Sequence, residues 1–286
     1  MEQRILVTGA TGTVGSEVVR ALQSRGASSV AGVRDENKAK KLLGEGVSTV
    51  HFDFEEPDTF ASATQSVDRV FLLGPPMELR LDELVDPFID FLHRQKIRRV
   101  TYLSAFRADA MEGLPFHTNV ERKLKDLSFD WTILQPSFFS QNFQNYEYEN
   151  ITERGITYMP AGDGKVGFVD VRDVGEVAAE VFASDQHTHQ TYVLTGPALL
   201  SYHDAAEQLT EVIGKPIQYP MPSPEEFADT LKKSGAPEFV ATYMNEVYGL
   251  IRDGKVDHIS DAVDEVLQRP PTPLREVLQR TFGPGA

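Results

Sequence analysis

The chain has 286 residues, 41% of them hydrophobic and 25% charged, which suits one large α/β domain or a domain with a smaller lobe. Cysteine is absent, so disulfides, thiolate metal sites and a cysteine nucleophile are excluded. The net charge of −15 argues against a general nucleic-acid binder, because an acidic surface repels phosphate backbones. No apolar run reaches membrane-spanning length and no signal-peptide pattern is present, so we expect a cytoplasmic protein without a membrane partner.

The first half of the sequence alternates short apolar runs with helical patterns. The predicted elements, in chain order, are strand Arg4–Thr8, helix Thr13–Arg25, strand Ser29–Arg34, helix Asn37–Leu43, strand Val47–Phe52, helix Asp58–Gln65, strand Arg69–Leu73, helix Leu79–Gln95 and strand Arg99–Leu103. This alternation is typical of βαβ units, with a parallel sheet and helices on both faces. We therefore expect ligand-binding residues along the edge where the strands end.

The second half is less regular. It contains the predicted helix Asn119–Leu127, strand Trp131–Gln135, helix Val174–Ala183 and strand Gln190–Leu194. From about Ser201 the pattern is mostly helix and proline-rich turn. We predict a Rossmann-type, doubly wound α/β fold with its core in residues 1–155. Residues 156–286 then hold the remaining core elements, at about 165–196, and a small, mainly helical C-terminal lobe for the substrate.

A glycine-rich loop follows the first predicted strand and opens the first helix. In Gly9-x-x-Gly12-x-x-Gly15, the first glycine permits a tight turn, the second lets the backbone approach a pyrophosphate, and the third lets the helix pack closely. The helix N-terminus would present free N–H groups to the phosphates. The loop residues predicted to contact a dinucleotide are Gly9, Thr11, Gly12, Thr13, Val14 and Gly15. The alternative is a structural turn without a ligand.

The end of the second predicted strand selects between the two nicotinamide cofactors. An acidic residue there would bind the ribose hydroxyl of NAD, but this strand ends at Arg34, with Lys38 and Lys40 shortly after it. A guanidinium suits a 2′-phosphate, so NADP(H) is favoured over NAD(H). The alternative is a solvated strand-end charge. Asp53, with Phe54 beside it, follows the third strand and could accept from the adenine amino group or equally serve a turn or helix cap.

Several segments together resemble the NmrA-like family of atypical short-chain dehydrogenases. The matching segments are the glycine loop, Val33-Arg34, His51–Asp53, Leu72–Pro75, Tyr102–Ala105 and, most particular to the family, Thr132–Phe139. The resemblance implies a Rossmann core, a small C-terminal lobe and a cleft between them. It also implies cofactor contacts from two further segments, namely Leu73, Gly74, Pro75, Pro136, Ser137, Phe138 and Phe139. The second of these segments would lie near the nicotinamide.

The catalytic Tyr-x-x-x-Lys pair of ordinary short-chain dehydrogenases is missing. The matching stretch has His117-x-x-x-Glu121, and Lys123 comes two positions later, on another side of a helix. His117 could donate a proton near neutral pH, or merely pack at a helix start. Ser104 stands where the family's helper serine lies and could contact cofactor or substrate, or only satisfy the backbone. Carbonyl–alcohol chemistry is in doubt, but hydride transfer to a quinone or similar acceptor is not excluded.

The stretch after the sixth predicted strand is aromatic and rich in amides. The residues predicted to line the substrate site are Phe139, Gln141, Asn142, Phe143 and Tyr146. Such a lining suits a flat, partly polar small molecule, although the same residues could form a hinge between lobes. No metal site is predicted, because His187 and His189 lack a third ligand and are expected in a surface loop.

Two functions from different classes remain open at this point. The first is an NADP(H)-dependent oxidoreductase that transfers hydride to a quinone-like or other small conjugated acceptor. The second is a redox-sensing regulatory protein that binds NADP(H) without turnover and modulates a protein partner. The glycine loop supports both functions. The missing Tyr-x-x-x-Lys pair motivates the second function.

Overall fold

The computed structural model describes residues 4–111 and 113–285, and within them seven strands form one parallel sheet. The strands are β1 (Arg4–Val7), β2 (Ser28–Val33), β3 (Thr49–His51), β4 (Arg69–Leu72), β5 (Arg99–Leu103), β6 (Asp130–Pro136) and β7 (Gln190–Leu194). Their order in the sheet is β3-β2-β1-β4-β5-β6-β7. The strand predicted at Val47–Phe52 is shorter than expected because β3, at the sheet edge, pairs only with residues 31–33 of β2.

Helices cover both faces of the sheet and form most of the C-terminal region. They are α1 (Thr13–Ser24), α2 (Glu36–Leu43), α3 (Thr59–Ala63), α4 (Leu81–Arg94), α5 (Phe116–Asp126), α6 (Asn142–Asn145), α7 (Tyr148–Arg154), α8 (Val171–Val181), α9 (Tyr202–Ile213), α10 (Pro224–Lys233), α11 (Glu238–Arg252), α12 (Ala262–Leu267) and α13 (Leu274–Phe282). The Rossmann-type α/β fold with a helical C-terminal region is confirmed. Helix α5 begins three residues before the predicted Asn119, so His117 lies in its first turn.

The strand order reverses at β1, which pairs with β2 on one side and β4 on the other. The side chain of Thr8, fully buried, ties the two strand ends beside this point together. Its Oγ1 donates to the Leu73 carbonyl at 2.9 Å and accepts from the Leu73 N–H at 2.8 Å. The crevice at the switch point, where open α/β sheets bind ligands, therefore has a fixed width at its base.

Alternate residues of β1 enter different cores, as strand geometry requires. Ile5 and Val7 pack with Val18 of α1 on one face, and Leu6 packs with Phe88 of α4 on the other. Helix α8 lies directly behind α1. This contact needs a glycine, because a Cβ on Gly175 would lie 2.7 Å from the Glu17 carbonyl carbon. The glycine loop is thus the exposed end of a helix that is packed on two sides.

A third buried cluster lies outside the sheet and is built mainly by helices. It joins α6, α9, α11 and α13 through Phe143, Tyr202, Tyr248 and Leu278. None of the helices in the described residues is long and apolar enough to cross a bilayer.

Two fully buried aspartates attach the C-terminal segment to the start of α8. Asp170 pairs with Arg280, and Asp173 accepts from Arg269 Nη2 at 2.8 Å and from the Thr272 N–H at 2.6 Å. Buried carboxylates need partners of this kind to offset their desolvation. The last helix is therefore held against the sheet domain by paired charges as well as by apolar contacts.

The segment around residue 188, predicted as a surface loop, is exposed only in part. His189 is exposed, whereas His187 is buried and its Nδ1 lies 2.8 Å from the Tyr192 hydroxyl. Thr132 Oγ1 of β6 donates to the His187 carbonyl at 2.8 Å and joins this turn to the sheet. No group of three potential metal ligands occurs in the part of the chain that the structure describes.

Candidate functional site

The glycine loop forms a tight turn that leaves the start of α1 open. Gly9 has a φ of +60°, which favours glycine, and its carbonyl accepts from the Gly12 N–H at 2.9 Å. A Cβ on Gly15 would lie only 2.2 Å from the Gly9 oxygen, so the third glycine is required for the helix to fit. Gly12 is the N-cap, and no side chain of the described residues caps it. The first N–H groups of α1 are therefore available to an anion.

One amide from the far side of the crevice reaches this turn. Asn145 Nδ2 donates to Thr13 Oγ1 at 3.2 Å, across 132 residues of sequence. Both residues are exposed. Thr11 and Val14 lie in the same turn, and Val14 is buried against the sheet while Thr11 is half-buried. The contact from Asn145 brings the segment after β6 next to the N-terminal end of α1.

A free cation stands at the end of β2. Arg34 is exposed, and its side chain makes no hydrogen bond or ion pair within residues 4–111 and 113–285. Lys38 and Lys40 on α2 are exposed as well. Helix α2 is capped by Asp35, which accepts from the Lys38 N–H at 3.0 Å. The carboxylate nearest in sequence to Arg34 is thus used by the helix start, and the guanidinium is left for a ligand.

Asp53 and Phe54 are already engaged with their own surroundings. One carboxylate oxygen of Asp53 accepts from the Glu55 N–H at 3.0 Å, which is the turn function considered for it. Phe54 packs edge-on against Phe52, with ring centroids 4.8 Å apart. Asp53 keeps its other oxygen for a donor such as an adenine amino group.

The segment Leu73–Pro75 closes tightly on the glycine turn. A Cβ on Gly9 would lie 3.1 Å from Leu73 Cγ, and one on Gly74 would lie 2.2 Å from Leu81 Cδ1. All three residues of the segment are half-buried. The backbone and the Leu73 side chain of this segment therefore face the glycine turn, and the segment packs against Leu81 of α4.

Glu121 is the centre of a polar cluster at the ends of β5 and β6. It is 8% exposed, and its Oε1 accepts from Ser104 Oγ at 2.6 Å and from Gln135 Nε2 at 2.8 Å. Lys125 Nζ lies 3.7 Å from the other oxygen. The sequence prediction missed this function of Glu121, although residues 117 and 121 lie on one helix face by their i, i+4 spacing.

His117 is held as a neutral ring by a buried tyrosine. Its Nδ1 lies 2.7 Å from the hydroxyl of Tyr102, which is fully buried. Burial lowers the pKa of His117 from 6.5 to about 4, and burial also raises the pKa of Tyr102. A buried phenol needs an acceptor, so Tyr102 donates to Nδ1 and the imidazole proton resides on Nε2. His117 is thus suited to donate a hydrogen bond and unsuited to act as a cationic acid at neutral pH.

The segment after β6 carries two half-buried rings and buried hydroxyls at the sheet edge where β6 ends. Pro136 and Ser137 are buried, and Ser137 Oγ, like Ser140 Oγ, has no hydrogen-bond partner in the described residues. Phe138 packs against Tyr248 with centroids 5.4 Å apart, and Phe139 forms a β-bridge with Val169. Buried hydroxyls without a partner are uncommon in folded proteins.

Two residues predicted on the substrate side have other functions. Phe143 is 1% exposed and packs against Phe168 and Tyr202, because aromatic content marks a core as readily as a cleft. Both ends of the Gln141 amide are engaged, since Nε2 donates to Asp170 at 2.7 Å and Oε1 accepts from the Val171 N–H at 3.1 Å. Both residues therefore attach the segment after β6 to the core and to the start of α8.

Four of the five residues predicted for the substrate lining keep some exposure. Phe139, Gln141 and Asn142 are half-buried, and Tyr146 is 45% exposed. Phe143 is the buried member of the set.

These features fit an adenine dinucleotide. A helix start after a glycine turn that no side chain of residues 4–111 and 113–285 caps suits a pyrophosphate, and Arg34, which has no ion-pair partner among the same residues, suits a further phosphate. The strand ends on the other side of the switch point supply Ser104, Gln135 and Ser137. The crevice joins these two halves along one sheet edge, as dinucleotide sites do.

Comparisons with known proteins agree with this geometry. Residues 1–277 match the model of the NmrA-like family. Prestalk A differentiation protein A from Dictyostelium discoideum is 30% identical over 281 residues, covering 97% of this chain and 92% of the relative. An NAD(P)H azoreductase from Xenophilus azovorans is 34% identical over 268 residues, covering 93% of each protein. An NADPH-dependent quinone oxidoreductase from Escherichia coli, solved with NADPH, has a TM-score of 0.87 at 26% identity, covering 98% of this chain and 100% of that one.

Proposed function

Because the chain belongs to the NmrA-like family, as its motifs predicted, we propose that it is an oxidoreductase that uses NADPH to reduce a quinone-like or other small conjugated acceptor. The observation that carries the proposal is the open start of α1 beside the unpaired Arg34, at the ends of adjacent strands. A quinone reductase and an azoreductase with similar chains support the reaction class.

The two halves of the crevice have different tasks in this proposal. The turn Gly9–Gly15 holds the pyrophosphate on backbone N–H groups, and Arg34 pairs with the 2′-phosphate. Leu73–Pro75 lies along the middle of the cofactor. Ser137 is a candidate hydrogen-bond partner at the nicotinamide end, where its hydroxyl has no partner in the described residues. The half-buried rings of Phe138 and Phe139 exclude water there.

His117 is the group we propose to orient the acceptor. When bound, NADPH supplies the hydride, so the protein needs only to position the acceptor and to stabilise negative charge on its oxygen. The neutral imidazole donates from Nε2 because Tyr102 occupies Nδ1. Protonation of the reduced product is left to solvent.

A direct test is NADPH oxidation with a panel of quinones and azo dyes. We expect turnover with at least one acceptor, and none in Gly15→Ala, in which the added Cβ meets the backbone of the glycine turn. Tight NADPH binding without turnover of any acceptor would refute the enzymatic proposal.

The second candidate is an NADP(H)-sensing regulatory protein. It is favoured by the missing Tyr-x-x-x-Lys pair and by a relative that is named for a differentiation function. A sensor must bind the oxidised and reduced cofactors with different affinity, since only differential binding shifts a population. Equal affinity for NADP⁺ and NADPH, with no protein recovered in pull-downs, would count against it.

A further inference from the structure

A buried acid occupies the position of the lysine in a Tyr-x-x-x-Lys pair. Glu121 lies on the buried face of α5, and one of its oxygens accepts from both Ser104 and Gln135. Ser104 and Gln135 are neighbours on adjacent strands, because β5 and β6 are parallel and Leu103 and Leu134, which directly precede them, are paired. The carboxylate thus joins one helix to the carboxyl ends of two neighbouring strands.

The hydrogen bonds to Glu121 decide what Ser104 and Gln135 can offer a ligand. A serine hydroxyl has a single proton, and Ser104 donates it to Glu121, so lone pairs are what it has left. Gln135 gives one of its two amide protons to the same oxygen, and its carbonyl oxygen accepts no hydrogen bond within residues 4–111 and 113–285, so Gln135 keeps an acceptor beside its second proton. A lysine at position 121 would present only donors. The cluster as built is suited to a ligand group that donates hydrogen bonds.

The position of the cluster in the sheet indicates which part of the cofactor meets it. The glycine turn and Arg34 follow β1 and β2, on one side of the switch point, whereas β5 and β6 lie on the other. A dinucleotide lies across that point, so its adenine half and its nicotinamide half fall on opposite sides. The nicotinamide half carries ribose hydroxyls and a carboxamide NH₂, which are hydrogen-bond donors.

We propose that Glu121 is a positioning residue for the nicotinamide-ribose half of the dinucleotide, which it serves by holding Ser104 and Gln135 as hydrogen-bond acceptors. The inference rests on the proposed NADPH binding and adds a recognition device to it. The Glu121 carboxylate, which leaves Ser104 and Gln135 as acceptors, stands where a Tyr-x-x-x-Lys pair has a lysine that donates. In Glu121→Gln an amide NH₂ replaces one of the two carboxylate oxygens, and the negative charge that favours the hydrogen bonds from Ser104 and Gln135 is lost.

The test compares two ligands on the full-length protein. NADPH carries both halves of the cofactor, whereas 2′,5′-ADP carries the 2′-phosphate and adenosine without the nicotinamide ribose. For Glu121→Gln we expect the NADPH dissociation constant to rise about tenfold and that of 2′,5′-ADP to stay unchanged. Ser104→Ala should show the same selective loss, and the double variant should lose little more, because the two residues act as a unit.

The matched control is Arg122→Gln, at an exposed position of the same helix, where the side chain bonds Asn119 and not Glu121. It should bind both ligands as the wild type does. Equal weakening of both ligands in Glu121→Gln, or wild-type NADPH affinity in that variant, would overturn the inference. If Glu121→Gln does not fold, Ser104→Ala and Gln135→Leu are tested instead, and wild-type NADPH affinity in both would also overturn the inference. If the cofactor proposal itself is wrong, the result is different, because the wild type would then bind neither NADPH nor 2′,5′-ADP.

Discussion

A buried carboxyl in the helical region should make the protein less stable as the pH rises. Glu147 is 1% exposed; its Oε2 accepts from Thr157 Oγ1 at 2.6 Å and from the Tyr158 N–H at 2.7 Å. Its Oε1 has no hydrogen-bond partner in the described residues. Burial raises the pKa of Glu147 from 4.5 to about 7, although the two hydrogen bonds oppose the rise.

The sign and size of the effect follow from proton linkage. The unfolded chain releases this proton near the ordinary glutamate pKa, whereas the folded protein holds it to about pH 7. In that window the folded state binds more protons, so the free energy of unfolding falls as the pH rises. Between about pH 5 and about pH 8 the loss is about 2.5 kcal/mol. For a chain of this length that corresponds to about 4 °C in Tm.

Glu147→Gln removes the titration while it keeps an acceptor for Thr157 and Tyr158. The amide has its own buried donor without a partner, but that cost is the same at every pH. We therefore compare the difference in Tm between about pH 5 and about pH 8, which should be about 4 °C smaller in Glu147→Gln than in the wild type. Glu149→Gln, on the exposed side of α7, should keep the wild-type difference. An equal difference in all three proteins would refute the reasoning.

Three further predictions concern the candidate site. Arg34→Ser should weaken NADPH binding by about tenfold or more and leave NADH binding unchanged. Lys41→Ser, on the neighbouring helix, is the control and should bind both cofactors as the wild type does. Equal loss of affinity for both cofactors in Arg34→Ser would contradict a 2′-phosphate contact. Gly15→Ala should abolish dinucleotide binding in a titration, because its Cβ would lie 2.2 Å from a backbone oxygen, whereas Gly46→Ala meets open space and should bind normally. His117 has a pKa of about 4, so kcat/KM for a quinone should be flat between about pH 5.5 and about pH 8, and a protonation limb near the ordinary histidine pKa would contradict a neutral donor.

The sheet and the glycine turn could be predicted because local signals specify them. Six of the seven strands contain adjacent apolar residues, the exception being β3, and the third glycine of the turn is required because a Cβ there would lie 2.2 Å from a backbone oxygen. The limits of elements were less predictable. Helix α5 begins at Phe116, and the carbonyl of its N-cap residue Pro115 accepts from the Asn119 N–H at 2.9 Å, whereas the sequence pattern placed the start at Asn119.

The polar cluster could be predicted only in part. Strand alternation places Tyr102 and Ser104 on one face of β5, and helical spacing places His117 and Glu121 on one face of α5. Which member of one pair meets which member of the other depends on the rotation of α5 over the sheet. Gln135 enters only through the register between β5 and β6. Tertiary packing sets both, and no short-range pattern in the sequence records them.

The segment after β6 shows how the helical region controls the site without touching a ligand. The amide of Gln141 is fixed by Asp170, and Asp170 is in turn paired with Arg280 of the last helix. A few residues on, Asn145 reaches Thr13 at the N-terminal end of α1. The segment is therefore held at one end by a partly buried ion pair and at the other by the glycine turn. Because such a segment is preorganised, acceptor specificity should change with the exposed side chains that it carries and cofactor affinity with the anchors beneath it.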